Sequence, residues 1–154
     1  MKPNSPPIDV AVAVIRRNDG FVLFAERPAG KACAGEWEFP GGKIEADESA
    51  LEALVREIDE ELAIHITHAR PWITLRHAYA HAHVRLNFFI VTSWTGEPHG
   101  REGQQLAWQD LHAMTVGPLL SANAPVIHAL RLPDVYAISN ASESGTELFI
   151  KQLK

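Results

Sequence analysis

At 154 residues, 46% hydrophobic and 21% charged, the chain is the size of one ordinary domain with material for a closed core, which excludes a disordered chain. Its net charge of −5, from 14 basic and 19 acidic residues, excludes a sequence-independent nucleic-acid binder, which needs a basic surface, and suits a holder of divalent cations. One cysteine, Cys33, rules out an intrachain disulfide and points to a reducing compartment. Met1–Pro7 carries no apolar signal core and no apolar run approaches a membrane span, so a cytoplasmic protein with no membrane partner is expected.

Lys2–Pro7 reads as a loose tail. Ile8–Arg17 is mostly Val, Ala and Ile, the pattern of a strand buried on both faces. Asn18-Asp19-Gly20 supplies a tight turn, and Phe21–Glu26 the returning strand of a hairpin. Arg27–Glu36, with Pro28, Gly30 and Gly35, is a loop, and Trp37-Glu38-Phe39 a short extended stretch stopped by Pro40-Gly41-Gly42. A helix follows over Ala50–Leu62. Pro71–Leu75 and Val84–Thr92 read as strands, Gly96–Gly100 as a turn-rich loop, and Leu106-Ala107-Trp108 as a short strand. Ala124–Leu130 reads as a helix, with Pro125 tolerated in its first turn. Beyond Pro133, Asp134–Ser139 has the character of a strand and Ser144–Leu153 that of an amphipathic helix. This order implies an α+β or α/β sandwich around a mixed sheet.

The helix at Ala50–Leu62 carries the chemistry. Ser49 and Glu52 make a capping box, and Leu51, Leu54, Val55, Ile58 and Leu62 form an apolar stripe. Glu57, Glu60 and Glu61 share another face, with Ala50 and Ala53, because residues three and four apart are neighbours on a helix. Three carboxylates so close repel unless a cation or an arginine neutralises them, and hard cations prefer oxygen ligands. An arbitrary acidic face is usually only solvated. Here the glycines of Phe39-Pro40-Gly41-Gly42-Lys43 lie just upstream, where backbone can approach a ligand closely, and Arg56 is placed to pair with a glutamate or a phosphate.

At these residues the chain resembles the Nudix hydrolases. Their signature is Gly, five residues, Glu, seven residues, then Arg-Glu-apolar-any-Glu-Glu-any-Gly-apolar. It reads here as Gly42, Glu48 and Arg56-Glu57-Ile58-Asp59-Glu60-Glu61-Leu62-Ala63-Ile64. Only the last glycine departs, as Ala63; if that position needs positive φ, the alanine costs some stability. The resemblance implies an α+β fold, the Nudix α/β/α sandwich with a central mixed sheet. It also implies divalent metal, Mg²⁺ with Mn²⁺ as an alternative, held by the Gly41 carbonyl, Glu57, Glu60 and Glu61. Cleavage would follow attack of water on a phosphorus.

Gly35–Glu45 and Trp94–Gln104 extend the likeness to the MutT subgroup, which hydrolyses oxidised guanine nucleotides such as 8-oxo-dGTP to monophosphate and pyrophosphate. That likeness gives Glu102 a role as further metal ligand or base, adding to Glu57, Glu60, Glu61 and Arg56 as the catalytic set. It implies Arg27, Phe39, Lys43, Tyr79 and Asn123 for the nucleoside triphosphate, with Asn123 reading the purine edge or else capping the second helix. Phe39 and Tyr79 taken alone are equally good core residues. Ala82 stands where the subgroup has an arginine, with His81, His83 and Arg85 as neighbours; with His77 the histidines also allow a zinc site, though strand alternation accounts for them. Residues 1–133 are expected to form the hydrolase domain. Residues 134–154 resemble the first β/α unit of the thiamine-phosphate-synthase-like barrels fused behind MutT-like domains, or are a native C-terminal helix. The alternative functions are a Nudix hydrolase of another, thiamine-related diphosphate and a catalytically weak nucleotide sensor. Monomer and homodimer both stay open.

Overall fold

The computed structural model describes residues 6–80 and 82–133, with positions 147, 150 and 151 beyond them. A four-stranded mixed sheet is ordered β4-β1-β6-β5, from β1 (Ile8–Ile15), β4 (Gly41–Lys43), β5 (His65–Ala78) and β6 (His83–Thr95). A second sheet is ordered β3-β2-β7, from β2 (Val22–Glu26), β3 (Trp37–Glu38) and β7 (Leu106–Gln109). Through residue 133 the helices are α1 (Ala50–Leu62) and α2 (Asn123–Leu130).

β1 is the axis. It runs parallel to β6 from Ile8↔Val84 to Ile15↔Val91 and antiparallel to β4 from Val10↔Lys43 to Val12↔Gly41. Its alternation feeds two cores, as expected of a strand buried on both faces. Ala11, Ala13 and Ile15 pack toward Leu54, Ile58 and Leu62 of α1, while Val12 and Val14 join Phe24, Phe88, Val126 and Ile127 under α2. The result is an α/β/α sandwich. Leu54, Ile58 and Leu62 are fully buried, each worth roughly 1.5–3 kcal/mol of burial free energy. The small Ala11, Ala13 and Ala53, all at 0% exposure, let the helix sit close on the sheet.

Several boundaries differ from the sequence expectation. The turn at Asn18-Asp19-Gly20 forms, with Gly20 at φ 90°, but the hairpin stops at a single bridge, Arg16↔Val22. β1 is paired on both edges by β4 and β6, so β2 peels into the second sheet. Of Pro40-Gly41-Gly42, read as a stop, the two glycines open a strand, Gly41–Lys43. At Gly41 (φ 149°) a Cβ would lie 2.2 Å from the Ala11 carbonyl oxygen, so only glycine pairs this closely with β1. β5 is much longer than Pro71–Leu75, its irregular register hiding the alternation, and Pro71 is accommodated because β5 lies at the sheet edge. Leu51, placed in the apolar stripe, is 45% exposed, and Ala53 takes the buried position instead.

Both halves of the capping box are made: Glu52 N donates to Ser49 Oγ at 3.3 Å and Ser49 N to Glu52 Oε2 at 2.8 Å. The helix ends at Ala63 in the left-handed conformation, φ 57°, its N–H donating to the Asp59 carbonyl. The strand expected at Asp134–Ser139 lies outside the described residues; within Ser144–Leu153 only Glu147, Ile150 and Lys151 are described, and they are helical. Among the described residues no helix is long and apolar enough to cross a membrane.

Candidate active site

The glutamates of α1 do not all face water. Ala53 is buried against the sheet, so Glu57, one turn later, falls on the seam between α1 and β4. Its side chain is 18% exposed and that of Glu61 17%, whereas Glu60 turns outward at 61%. The carboxylate of Glu57 lies directly on Gly42: a Cβ there would be 2.0 Å from Glu57 Cδ. The second glycine of the pair therefore makes room for a carboxylate, while the first makes room for backbone.

Arg56 organises this end. Its guanidinium donates to Glu48 at 2.6 and 3.1 Å, to Glu57 at 3.0 Å, to Glu60 at 3.3 Å and to the Lys43 carbonyl at 3.1 Å. A planar fork can hold several acceptors at once, which an ammonium cannot match. Glu48 also accepts from Glu45 N at 2.8 Å, so it ties the β4–α1 loop to the helix. The Arg56 hydrogen bonds hold its carboxyl below the usual range.

A second cation serves the other carboxylates. Lys31 Nζ lies 2.5 Å from Glu102 Oε2 and 3.8 Å from Glu61 Oε1. Burial pushes the Glu61 carboxyl up to about 7; the charges of Glu102 and Glu57 add to the rise and Lys31 opposes it. Among the described residues no three carboxylate, histidine or cysteine side chains converge as a preformed metal cage. Glu57 and Glu60 are held by Arg56, and Glu61 and Glu102 by Lys31, instead. The donor set still fits a hard dication. It is all oxygen, two of its carboxylates line one cleft with Gly41, and its existing partners are exchangeable cations.

That cleft has a volume of about 820 Å³ and runs from Glu57 and Glu61 to Tyr79, Ala82 and Leu120. Arg27 and Lys43 also line it. Arg27 donates to Glu38 Oε1 at 2.5 Å and to the Ala32 carbonyl at 2.6 Å; burial raises the Glu38 carboxyl and Arg27 counters it. Tyr79 meets the His77 ring edge-on at 4.4 Å between centroids, and burial raises its hydroxyl to about 12. His77 also contacts Ser121 Oγ at 3.0 Å.

Two of the anticipated substrate residues lie off the cleft wall. Phe39 belongs to the core, 3% exposed, tilted against Phe24 at 4.6 Å between centroids and edge-on to Phe88 at 6.0 Å. Asn123 is 4% exposed and donates to the Trp37 carbonyl at 3.3 Å; it is the first residue of α2 rather than its cap, which is Ala122. Of the neighbours of Ala82, Arg85 is engaged by Asp9, with Nη2 2.7 Å from Oδ2, while His81 lies outside the described residues.

Sequence reading passed over Lys31 and Glu38 and gave Glu48 no task. Glu38 carried a signal, since it alternates with the apolar Trp37 and Phe39 and so points away from their core. Lys31, in an irregular loop, carried none.

The NUDIX domain family model matches residues 11–129. The 8-oxo-dGTP diphosphatase of Haemophilus influenzae is 38% identical over 123 residues, covering 80% of this chain and 90% of that protein. The CTP pyrophosphohydrolase of Escherichia coli is also 38% identical, over 122 residues, 79% of this chain and 90% of that protein. The crystal structure of the MutT Nudix hydrolase from Burkholderia pseudomallei superposes with a TM-score of 0.73 at 28% identity, covering 80% of this chain and 98% of that one. The match spans both cores and every element that lines the cleft, and on it the chain belongs to the Nudix hydrolase family, whose members act on diphosphate bonds and use a divalent metal.

Proposed function

We propose that the chain hydrolyses nucleoside triphosphates to monophosphate and pyrophosphate in the presence of Mg²⁺, with 8-oxo-dGTP the first candidate substrate. The observation that carries this reading is the seating of Glu57 on Gly42, with Glu61 on the wall of the same cleft that Arg27, Lys43 and Tyr79 also line. At about 820 Å³ the cleft has room for a nucleotide, with carboxylates and lysines to meet a metal–phosphate group and Tyr79, Val84 and Leu86 to meet a base. Glu57, Glu61 and Gly41 would hold the metal, with Glu60 and Glu102 joining once released from Arg56 and Lys31. When bound, Mg²⁺ neutralises phosphate charge and favours ionisation of water. Arg56 positions Glu57 and Glu48. Lys43 offers charge to phosphate, and Arg27 and Tyr79 border the nucleoside. Water adds to the α- or the β-phosphorus, the bond from that phosphorus to the oxygen bridging the two breaks to release monophosphate and pyrophosphate, and the proton of water leaves to a carboxylate or to solvent.

A second reading, a triphosphate with another base, is favoured by Ala82. It lies on the cleft wall where the MutT subgroup has an arginine, and the CTP pyrophosphohydrolase is as near in identity as the 8-oxo-dGTP enzyme. The test is pyrophosphate release from 8-oxo-dGTP, dGTP, CTP, other nucleoside triphosphates and thiamine diphosphate, with and without Mg²⁺. Metal-dependent release from at least one triphosphate is expected, and the ranking of bases chooses between the readings. Cleavage of thiamine diphosphate alone, or nucleotide binding without turnover, would overturn both.

A further inference from the structure

Lys31 reaches the carboxylates of α1 from a separate loop, and it does so from a fixed platform. Arg27 N donates to the Glu36 carbonyl at 2.9 Å and Gly35 N to the Arg27 carbonyl at 3.0 Å, closing the loop at its base. Within it, Arg27 Nε holds the Ala32 carbonyl at 2.6 Å and Lys31 N the Pro28 carbonyl at 3.3 Å. The ammonium is thereby aimed into the cleft, where it bridges Glu102 at 2.5 Å and Glu61 at 3.8 Å. Among the described residues no other lysine or arginine is within ion-pair reach of either carboxylate; Arg56 is committed to Glu48, Glu57 and Glu60.

Two features say that this bridge is made to be broken. The Lys31 and Glu102 side chains are 45% and 44% exposed, so water can take over the ammonium at little cost, as for most exposed ion pairs. And it stands between the two carboxylates that a dication on Glu61 and Glu102 would join. Each carboxylate has a second oxygen, but two cations held between one carboxylate pair repel each other, and a dication attracts the pair more strongly than a single charge does. A lysine displaced from them remains tethered in the cleft, and the next anion within its reach is the phosphate chain of a bound nucleotide.

We propose that Lys31 is a tethered counter-ion that closes the metal-free site by bridging Glu61 and Glu102, yields those carboxylates to the divalent cation, and then pairs with the substrate's phosphates. This rests on the nucleoside-triphosphate reading above. It makes Lys31 a substrate-contacting residue outside the Nudix signature and couples metal loading to phosphate capture.

Amine acylation followed by mass spectrometry tests it, with the exposed Lys151, which does not line the cleft, as the internal reference. Mg²⁺ alone should raise acylation of Lys31 relative to Lys151 several-fold, and a non-hydrolysable nucleoside triphosphate added with Mg²⁺ should lower it again. Glu102→Gln should expose Lys31 without metal. Mn²⁺ titration followed by electron paramagnetic resonance supplies the second measurement: Lys31→Met should bind Mn²⁺ several-fold more tightly than wild type, and Lys43→Met should shift less. In turnover at saturating Mg²⁺, Lys31→Met should raise KM more than it lowers kcat. Lys31 acylation that is unchanged or reduced by Mg²⁺, or equal Mn²⁺ affinities in the two lysine variants, would overturn the proposal. If wild type still takes up Mn²⁺ and Glu57→Gln does not, the reading of the metal site survives that failure. If wild type takes up none, both fall.

Discussion

The two ends of the cleft are built by different means. The carboxylate end comes from one continuous strand–loop–helix stretch, in which Gly42, Glu48, Arg56, Glu57 and Glu61 are set by β4, a capping box and one helix face. The opposite end is assembled from Tyr79 and Ala82 of the β5–β6 connection and Leu120 from the approach to α2, with Arg27 and Glu38 of the second sheet's neighbourhood between, where the Glu38 charge reaches both Glu61 and Tyr79. A local stretch fixes its geometry by helix periodicity and hydrogen bonds to itself. An assembled wall depends on how distant strands come to lie together, and a single residue in it can change without disturbing the fold. The difference predicts that substitutions at the first end abolish chemistry, while those at the second redirect it.

The largest effect should come from Glu57→Gln. It keeps shape and removes the charge seated on Gly42, so kcat is expected to fall on the order of 10²–10³-fold or more, as when a preorganised electrostatic group is lost. The unfolding midpoint should stay near wild type, because the side chain contributes no core packing. Turnover retained within a few-fold would break the assignment of this end to the chemistry.

Gly42→Ala is the next test, and it separates room from charge. The added methyl would fall 2.0 Å from Glu57 Cδ, so the carboxylate, the free end of a flexible side chain, must swing away. The fold survives, but a catalytic group displaced by about 1 Å can cost about 10²-fold. Circular dichroism should be unchanged while kcat drops.

How far the sequence could be read follows the same division. Helix α1, its cap and the placement of Glu57 and Glu61 were legible because their determinants are close in the chain. Even there the face differs from the expectation: Ala53, read as part of the carboxylate face away from the docking stripe, is fully buried, and it is what brings Glu57 to the sheet. The split of β1 and β2 into two sheets was not legible, since Asn18-Asp19-Gly20 reads the same whether a ladder continues beyond it or not. Lys31 was invisible for a stronger reason. Its partners, Glu61 and Glu102, belong to other elements, and no local pattern links a loop lysine to them. Phe39 and Asn123 are assigned from resemblance, and the structure gives each a packing or backbone partner in the protein itself, which no local pattern announces.

Ala82→Arg probes the assembled end directly. A guanidinium on that wall adds a charged donor facing the nucleoside, and a charge-assisted hydrogen bond of about 1.5–3 kcal/mol corresponds to roughly a 10–100-fold change in kcat/KM for the base that accepts it. The ratio between 8-oxo-dGTP and CTP should therefore shift while pyrophosphate release from the better substrate continues. A uniform loss for every base would mean that Ala82 does not face the nucleoside, and the contrast between the two ends would have to be redrawn.

The smallest effect lies where the signature itself departs. Ala63 caps α1 at φ 57°, a conformation that costs an L-residue about 1–2 kcal/mol and a glycine almost nothing. Glycine also gains freedom in the unfolded chain, which takes back about 0.4–1 kcal/mol. The cap is otherwise well secured: Ala63 N donates to the Asp59 carbonyl, His99 N to the Leu62 carbonyl, and Arg101 N and Gln104 Nε2 to that of Glu61. The helix end therefore need not rearrange, and the two backbone terms decide the sign. Ala63→Gly should stabilise the protein by about 0.5–1 kcal/mol, raising the unfolding midpoint by roughly 1–4 °C, with turnover unchanged. Ala63→Val, which places a β-branched residue in the same conformation, should move the midpoint the other way. A lower midpoint for the glycine variant would show that the alanine methyl packs more favourably than its backbone is strained.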